Sequence, residues 1–261
     1  MHKDADKTEQ HQDRRPEKPI PLGVLHQDDH LIIVNKPSGM WPEGGPSALP
    51  NVFEQIKDLV PGSSPSPLYP LETPISGLMV WAVTDQARQD LEAQFLDQRM
   101  TVTYLAVVRA RVTEESGIID LPLRVPGREG GPVRVDEKSG APAVTHWQLR
   151  DSFIGFALLE CVPKTRICGQ IRAHLPAADM PLAVDAAYRG ASELLLSSFK
   201  ANYRRSKRRP ERPLIRRPAL HAASVSLELP GSGEQKEWTA ALPKDMRATL
   251  HQLDRFGRLP K

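Results

Sequence analysis

The sequence predicts an α+β domain whose main layer is a largely antiparallel mixed sheet with flanking helices and loops. Three observations carry this. Short apolar and β-branched runs recur along the chain, bounded by Gly, Pro, Asn or Asp, as strands between turns are. Few segments repeat their apolar residues at helical spacing. Prolines number 25 in 261 residues, nearly double the usual ~5% share. Each removes a backbone donor and breaks a helix interior, which suits short strands joined by many loops. At roughly 100–200 residues per domain, the length allows one large domain or two small ones.

In chain order, residues 1–19 are polar and charged with nothing to bury, and read as a disordered tail. The domain is expected over residues 20–248, with a C-terminal tail over 249–261. Leu31-Ile32-Ile33-Val34 lies between Asp28-Asp29 and the turn Pro37-Ser38-Gly39, and reads as a buried strand. Asn51 can cap a short helix to residue 59, with Val52, Phe53, Ile56, Leu59 and Val60 on one side. Residues 61–67, rich in Pro, Gly and Ser, form a loop. A strand covers 77–83, and Thr84 or Asp85 caps a helix to about residue 98 with Ala87, Leu91, Phe95 and Leu96 as its apolar face. Residues 102–112 form a long strand, and further strands follow near 133–135, 143–149 and 156–162. A helix fits 169 to about 178, and residues 220–229 alternate like a strand.

Composition excludes several classes. No apolar run approaches the ~18–20 residues of a membrane span, so no membrane association is expected. The first 18 residues hold ten charged side chains and no apolar stretch, unlike a secretory leader. Cys161 and Cys168 are too few for a disulfide scaffold or a zinc site. A cytoplasmic protein with reduced thiols and no metal is expected. The net charge of +3 conceals an asymmetry: residues 200–217 hold nine Lys or Arg and one acid, Glu211, leaving the rest of the chain mildly acidic. Such a patch suits a polyanion, nucleic acid first. A solvated basic loop without a dedicated partner is the plainer reading.

Four separated segments carry a resemblance: Asp28-Asp29-His30-Leu31-Ile32-Ile33-Val34-Asn35-Lys36-Pro37-Ser38-Gly39, Tyr104-Leu105-Ala106-Val107-Val108, Gln170-Ile171-Arg172-Ala173-His174-Leu175 and Leu220-His221-Ala222. In this order they resemble the opening strand and turn, the tyrosine strand, the arginine motif and the late core strand of the RluA-type family of RNA pseudouridine synthases. Weaker echoes lie in Ile119-Asp120-Leu121-Pro122-Leu123 and in Ser139-Gly140 followed by Ala143, Thr145 and Trp147. The resemblance implies a pseudouridine-synthase-like fold. It also implies isomerisation of uridine in RNA to pseudouridine, breaking the N-glycosidic bond and rejoining the base through carbon 5 with no cofactor.

The chain departs from that family at its catalytic motif, His-Arg-Leu-Asp-Arg-Asp-Thr-Ser-Gly, which aligns with Tyr69-Pro70-Leu71-Glu72-Thr73-Pro74-Ile75-Ser76-Gly77. Glu72 stands for the catalytic aspartate, Pro70 for the arginine before it and Tyr69 for the histidine. In the arginine motif, usually His-Gln-Ile-Arg-Val-His, Gly169 stands for the first histidine. The preceding Thr-Gly-Arg-Thr reads Thr165-Arg166-Ile167-Cys168.

By resemblance, Glu72 acts as nucleophile or base, Arg172 pairs with it, and Tyr104 stacks on the target base and takes a proton. The extra methylene of Glu72 moves its charge by about 1.5 Å, and misplacing a reacting group by ~1 Å costs on the order of 10²-fold in rate. Pro70 removes a cation that could follow the phosphate of the flipped nucleotide. Plainer readings stand beside these. Glu72 and Arg172 can be a structural pair, because a buried arginine without a carboxylate is costly. Tyr104 can be a core aromatic, and His174 and His221 fit hydrogen-bonded scaffold better than ligands. Lys36 either touches RNA phosphate or is a solvated turn lysine, and Cys168 lacks a base to activate its thiol. Within the basic segment, Lys200, Arg204, Arg205, Lys207, Arg208, Arg209 and Arg212 are the candidate RNA contacts, with Phe199 and Tyr203 available for stacking.

The expectation is an RNA-binding monomer of this family, acting on ribosomal or transfer RNA, whose turnover is weakened or lost because three departures coincide. An active synthase using Glu72 is the alternative. A basic scaffold for proteins or acidic surfaces is a third reading from another class.

Overall fold

The computed structural model describes residues 21–46, 51–69, 71–127, 130–204 and 209–258. The expected N-terminal tail, Pro70, Arg205, Lys207 and Arg208 lie outside the described residues. In chain order the elements are β1 (Gly23–Gln27), β2 (Leu31–Lys36), α1 (Val52–Leu59), β3 (Ser66–Pro67), β4 (Ser76–Ala82), α2 (Asp85–Leu96), β5 (Thr101–Val108), β6 (Ser116–Asp120), β7 (Leu123–Arg124), β8 (Arg134–Val135), β9 (Val144–Phe153), β10 (Phe156–Pro163), α3 (Gln170–Ala177), β11 (Leu220–Glu228), β12 (Gln235–Thr239) and α4 (Lys244–Gly257).

Local chemistry sets the early helices. The Asn51 side chain accepts from the Glu54 N–H at 2.8 Å and starts α1. Thr84 does the same for α2 through the Ala87 N–H at 3.1 Å, each satisfying a donor that the first helical turn leaves unpaired. α2 buries Ala87, Leu91, Gln94 and Phe95, one face at 3.6-residue spacing. Gln94 then pairs with the backbone of Glu228 in both directions, donating to its carbonyl at 2.8 Å and accepting from its N–H at 2.9 Å. A buried amide thereby clips α2 to the end of β11.

Among the described residues, ten strands share one sheet in the order β1-β2-β4-β11-β5-β10-β9-β6, with β12 joining β11 and β3 joining β4. All these pairings are antiparallel except that of β4 with β11. The result is the α+β class. β4 is buried at every position and β2 at all but Asn35. Strands covered on both faces read as continuous apolar runs, as these do.

The chain end corrects the expected tail over 249–261. Residues 244–257 form α4, with Met246, Thr249 and Leu253 buried. Met246 and Leu253 pack with Val107, Phe153, Phe156, Val184, Leu194 and Ile215 in a second core. Burying side chains of this size is worth about 1.5–3 kcal/mol each, so α4 belongs to the domain. The 102–112 strand is also shorter than expected. β5 ends at Val108, where the next N–H, of Arg109, turns to the Pro181 carbonyl at 2.8 Å.

The parallel pairing locates the site. Ser76 and Gly77 at the start of β4 lie beside His221 and Ala222 at the start of β11. β5 runs on the other side of β11, with Tyr104 opposite Ala222. The loop carrying Glu72 enters β4 at this junction.

Candidate active site

Lys36 holds the Glu72 loop. Its side chain is fully buried, and Nζ donates to the carbonyls of Met40 and Thr73 at 3.0 Å and of Pro37 at 3.2 Å. Ser38 Oγ donates to the Pro74 carbonyl and the Gly39 N–H to that of Thr73, both at 2.8 Å. Both sequence readings of Lys36, phosphate contact and solvated turn residue, are therefore corrected. All three ammonium protons are engaged inside the protein, and burial lowers its pKa to about 7.

Arg172 sits in the first turn of α3. Its Nη1 donates to Glu72 Oε1 at 2.5 Å, while Nε and Nη2 donate to the two oxygens of Asp185 at 2.6 and 2.7 Å. The bidentate half fixes the guanidinium plane and leaves one edge for Glu72. Tyr188 stacks on the same guanidinium, ring centroid 4.5 Å away, and its hydroxyl accepts from the Val133 N–H at 2.9 Å. Asp185 is nearly inaccessible. Burial raises the Glu72 carboxyl above its usual range, and Asp185 adds to the effect; Arg172 and Lys36 oppose it.

The departure at Gly169 has a spatial meaning. This residue begins α3 with φ of 78°, and a β-carbon there would stand 2.9 Å from the Tyr188 hydroxyl and 3.6 Å from Glu72 Oε1. The longer carboxylate at 72 ends where a side chain at 169 would begin.

Glu72, Tyr104 and Arg172 line one pocket, with about 50 Å³ open to water-sized molecules, together with Tyr69, Phe95, Arg166 and Gln170. Tyr104 is nearly buried, and its hydroxyl has no protein hydrogen-bond partner among the described residues. Burial and the nearby Cys168 and Glu72 hold that hydroxyl well above the ordinary tyrosine pKa, so it stays protonated at neutral pH. Tyr104 is thus suited to stacking and donating; accepting a proton as phenolate, as the resemblance implies, is disfavoured. Burial and Glu72 push the Cys168 thiol up to about 11, the opposite of an activated nucleophile.

The histidines serve the scaffold. His174 lies between the Thr145 hydroxyl and the Leu121 carbonyl, both at 2.9 Å. His221 ties Ser76 Oγ at 3.0 Å to the Ala240 carbonyl at 3.3 Å. Burial lowers the pKa of both.

The basic segment is partly consumed by the fold. Arg217 makes a bidentate pair with Asp245 at 2.6 and 2.9 Å, and Arg216 pairs with Glu193 at 3.2 Å. Lys200 is half-buried, its Nζ 4.2 Å from the Phe256 ring centroid. Arg204, Arg209 and Arg212 are exposed.

Sequence reading missed Asp185 and Tyr188. The available signal was that Asp185 is the only charged residue between Asp179 and Arg189, since an acid in an apolar stretch needs a buried partner.

The mixed, mostly antiparallel sheet, with a carboxylate–arginine pair and a tyrosine lining one pocket, has the fold of the pseudouridine synthase class. The family described as RNA pseudouridylate synthase matches residues 30–177. The chain is 33% identical to ribosomal large subunit pseudouridine synthase D of Nitrosomonas europaea over 261 residues, 95% of this chain and 70% of that protein. With the protein of the same name from Zymomonas mobilis subsp. mobilis it shares 30% identity over 247 residues, 90% and 73% of the two chains. In fold it is similar to human RNA pseudouridylate synthase domain containing 4, with a TM-score of 0.67 at 24% identity over 92% of this chain and 95% of that one. The chain belongs to the RNA pseudouridylate synthase family, of the RluA type.

Proposed function

We propose that this protein isomerises uridine to pseudouridine in RNA with Glu72 as the catalytic carboxylate, at a rate reduced by its longer side chain. The observation that carries this reading is the array of buried Arg172 and Asp185 with half-buried Glu72, in one pocket with Tyr104. Buried charges are costly to keep, and apolar side chains would fill a merely structural site with less desolvation. In this reading Glu72 acts on the nucleoside while Arg172 holds its ionised form. Tyr104 stacks on the uracil as the bond from N1 to the sugar breaks and one from carbon 5 forms. The carbon 5 proton leaves to solvent or to the freed carboxylate, and N1, released from the sugar, takes up a proton in its place, so that product and substrate are isomers. Ribosomal or transfer RNA is the proposed substrate, the first supported by the names of the relatives, and the protein is proposed to act as a monomer.

The second reading, RNA binding without turnover, is favoured by one observation: the 2.5 Å contact with Arg172 keeps one Glu72 oxygen engaged. Incubating wild type and Glu72→Gln with total RNA from a strain lacking the gene, then mapping pseudouridine chemically, decides between them. New sites with wild type that vanish with Glu72→Gln are the expected result. RNA retained at low salt with no new site would establish the second reading.

A further inference from the structure

We propose that Arg166 binds the phosphate of the uridine nucleotide that enters the pocket. The inference rests on RNA being the ligand of this site. Most polar groups lining the pocket already have protein partners. Thr165 donates to Gln170 at 2.8 Å, Gln170 donates to the Val144 carbonyl at 2.9 Å, and the Tyr69 hydroxyl donates to the Leu78 carbonyl at 2.9 Å. Arg172 is closed on both sides by carboxylates. Arg166 differs. Its Nη1 donates to the Leu68 carbonyl at 2.8 Å and its guanidinium lies 5.3 Å from the Phe95 ring centroid, but among the described residues no carboxylate pairs with it. A guanidinium has five N–H donors, so most remain for a ligand while the ring and the carbonyl hold the group in place.

Electrostatics points the same way. Glu72, Asp185 and Arg172 together carry one net negative charge when ionised, which repels an incoming phosphate, and the residue at 70 is an uncharged proline. Among the described residues lining the pocket, Arg166, which reaches it from the segment before α3, is the cation without a carboxylate partner, and Lys36 behind Glu72 is spent on three carbonyls. Arginine matches phosphate in planar geometry as well as charge.

The test uses a short single-stranded RNA with one uridine among adenosines, and two derivatives in which a neutral methylphosphonate replaces the phosphate 5′ or 3′ to that uridine. Wild type should bind one derivative about tenfold more weakly than the parent. Arg166→Ala should bind the parent about tenfold more weakly than wild type and should not distinguish it from that derivative. Its slope of log affinity against log salt should fall by about 0.7, as expected when one fewer phosphate of a single strand is neutralised. Arg166→Gln keeps a donor for Leu68 without the charge and should behave as the alanine variant does while melting like wild type. If either variant still discriminates as wild type does, or if wild type ignores both substitutions, the proposal is overturned. Failure of wild type to bind the parent at low salt would instead remove the RNA reading, and the phosphate role of Arg166 with it.

Discussion

A β-carbon added to Gly77 would lie 2.2 Å from the carbonyl oxygen of Ala222. Gly77 also has φ of 119°, a backbone conformation that side chains resist. Both constraints fall where β4 meets β11, under the Glu72 loop. Gly77→Ala should therefore separate the parallel pair and destabilise the protein by on the order of 3 kcal/mol or more. Chemical denaturation checks this; a loss below ~1 kcal/mol would mean that the junction adapts.

Asp185→Asn should act through Arg172. Removing one member of a buried ion pair costs about 3–5 kcal/mol, and the guanidinium loses the bidentate hold that aims it at Glu72. The negative charge of Asp185 raises the Glu72 pKa, so the acid limb of the pH–rate profile should move to lower pH in this variant. A structural role alone would lower stability and leave that limb in place.

Lys36 should make stability depend on pH in the alkaline range. Its folded pKa is about 7 against an ordinary 10.5, so between those values the unfolded chain binds more protons and stability rises with pH. The slope approaches ~1.4 kcal/mol per pH unit. Lys36→Met should remove this rise and lower stability overall, because three buried carbonyls lose their donor. Urea titrations at neutral and alkaline pH give both quantities, and an unchanged slope would exclude Lys36 as its source.

The arginines of the basic segment should divide into two classes. Arg204→Ala with Arg212→Ala should lower the salt slope of RNA binding by about 0.7 for each phosphate that is no longer neutralised, with little change in melting temperature. Arg217→Ala should lower the melting temperature instead, since it breaks the bidentate pair with Asp245. Melting curves and salt titrations of the same variants separate the classes.

What was legible in the sequence was mostly local. Asn51 and Thr84 cap their helices through atoms within three residues, so the pattern carries the structure. α4 lacked such a signal: Pro243 precedes it with no side-chain cap, although Met246, Leu250 and Leu253 recur at helical spacing. β1 is an edge strand with four of its five residues exposed, so no apolar alternation marks it. At the site, Glu72, Tyr104 and Arg172 were readable because they sit in recognisable motifs. Asp185 was not, since its link to Arg172 depends on the path between α3 and β11. Lys36 misled because lysine type argues for exposure, whereas three carbonyls converge on it inside the fold.

The hydrogen bond between Ser76 and His221 spans 145 residues, and that distance has a consequence in time. As the chain emerges from the ribosome, Glu72 and its strand are made early, and Arg172 appears about a hundred residues later. β4 still lacks its parallel neighbour until residue 220 and beyond have been synthesised. Pairings this remote in sequence form late, so until then the nascent protein carries an open sheet edge and an unfinished pocket. The pocket is therefore completed only near the end of synthesis, when β11 takes its place beside β4.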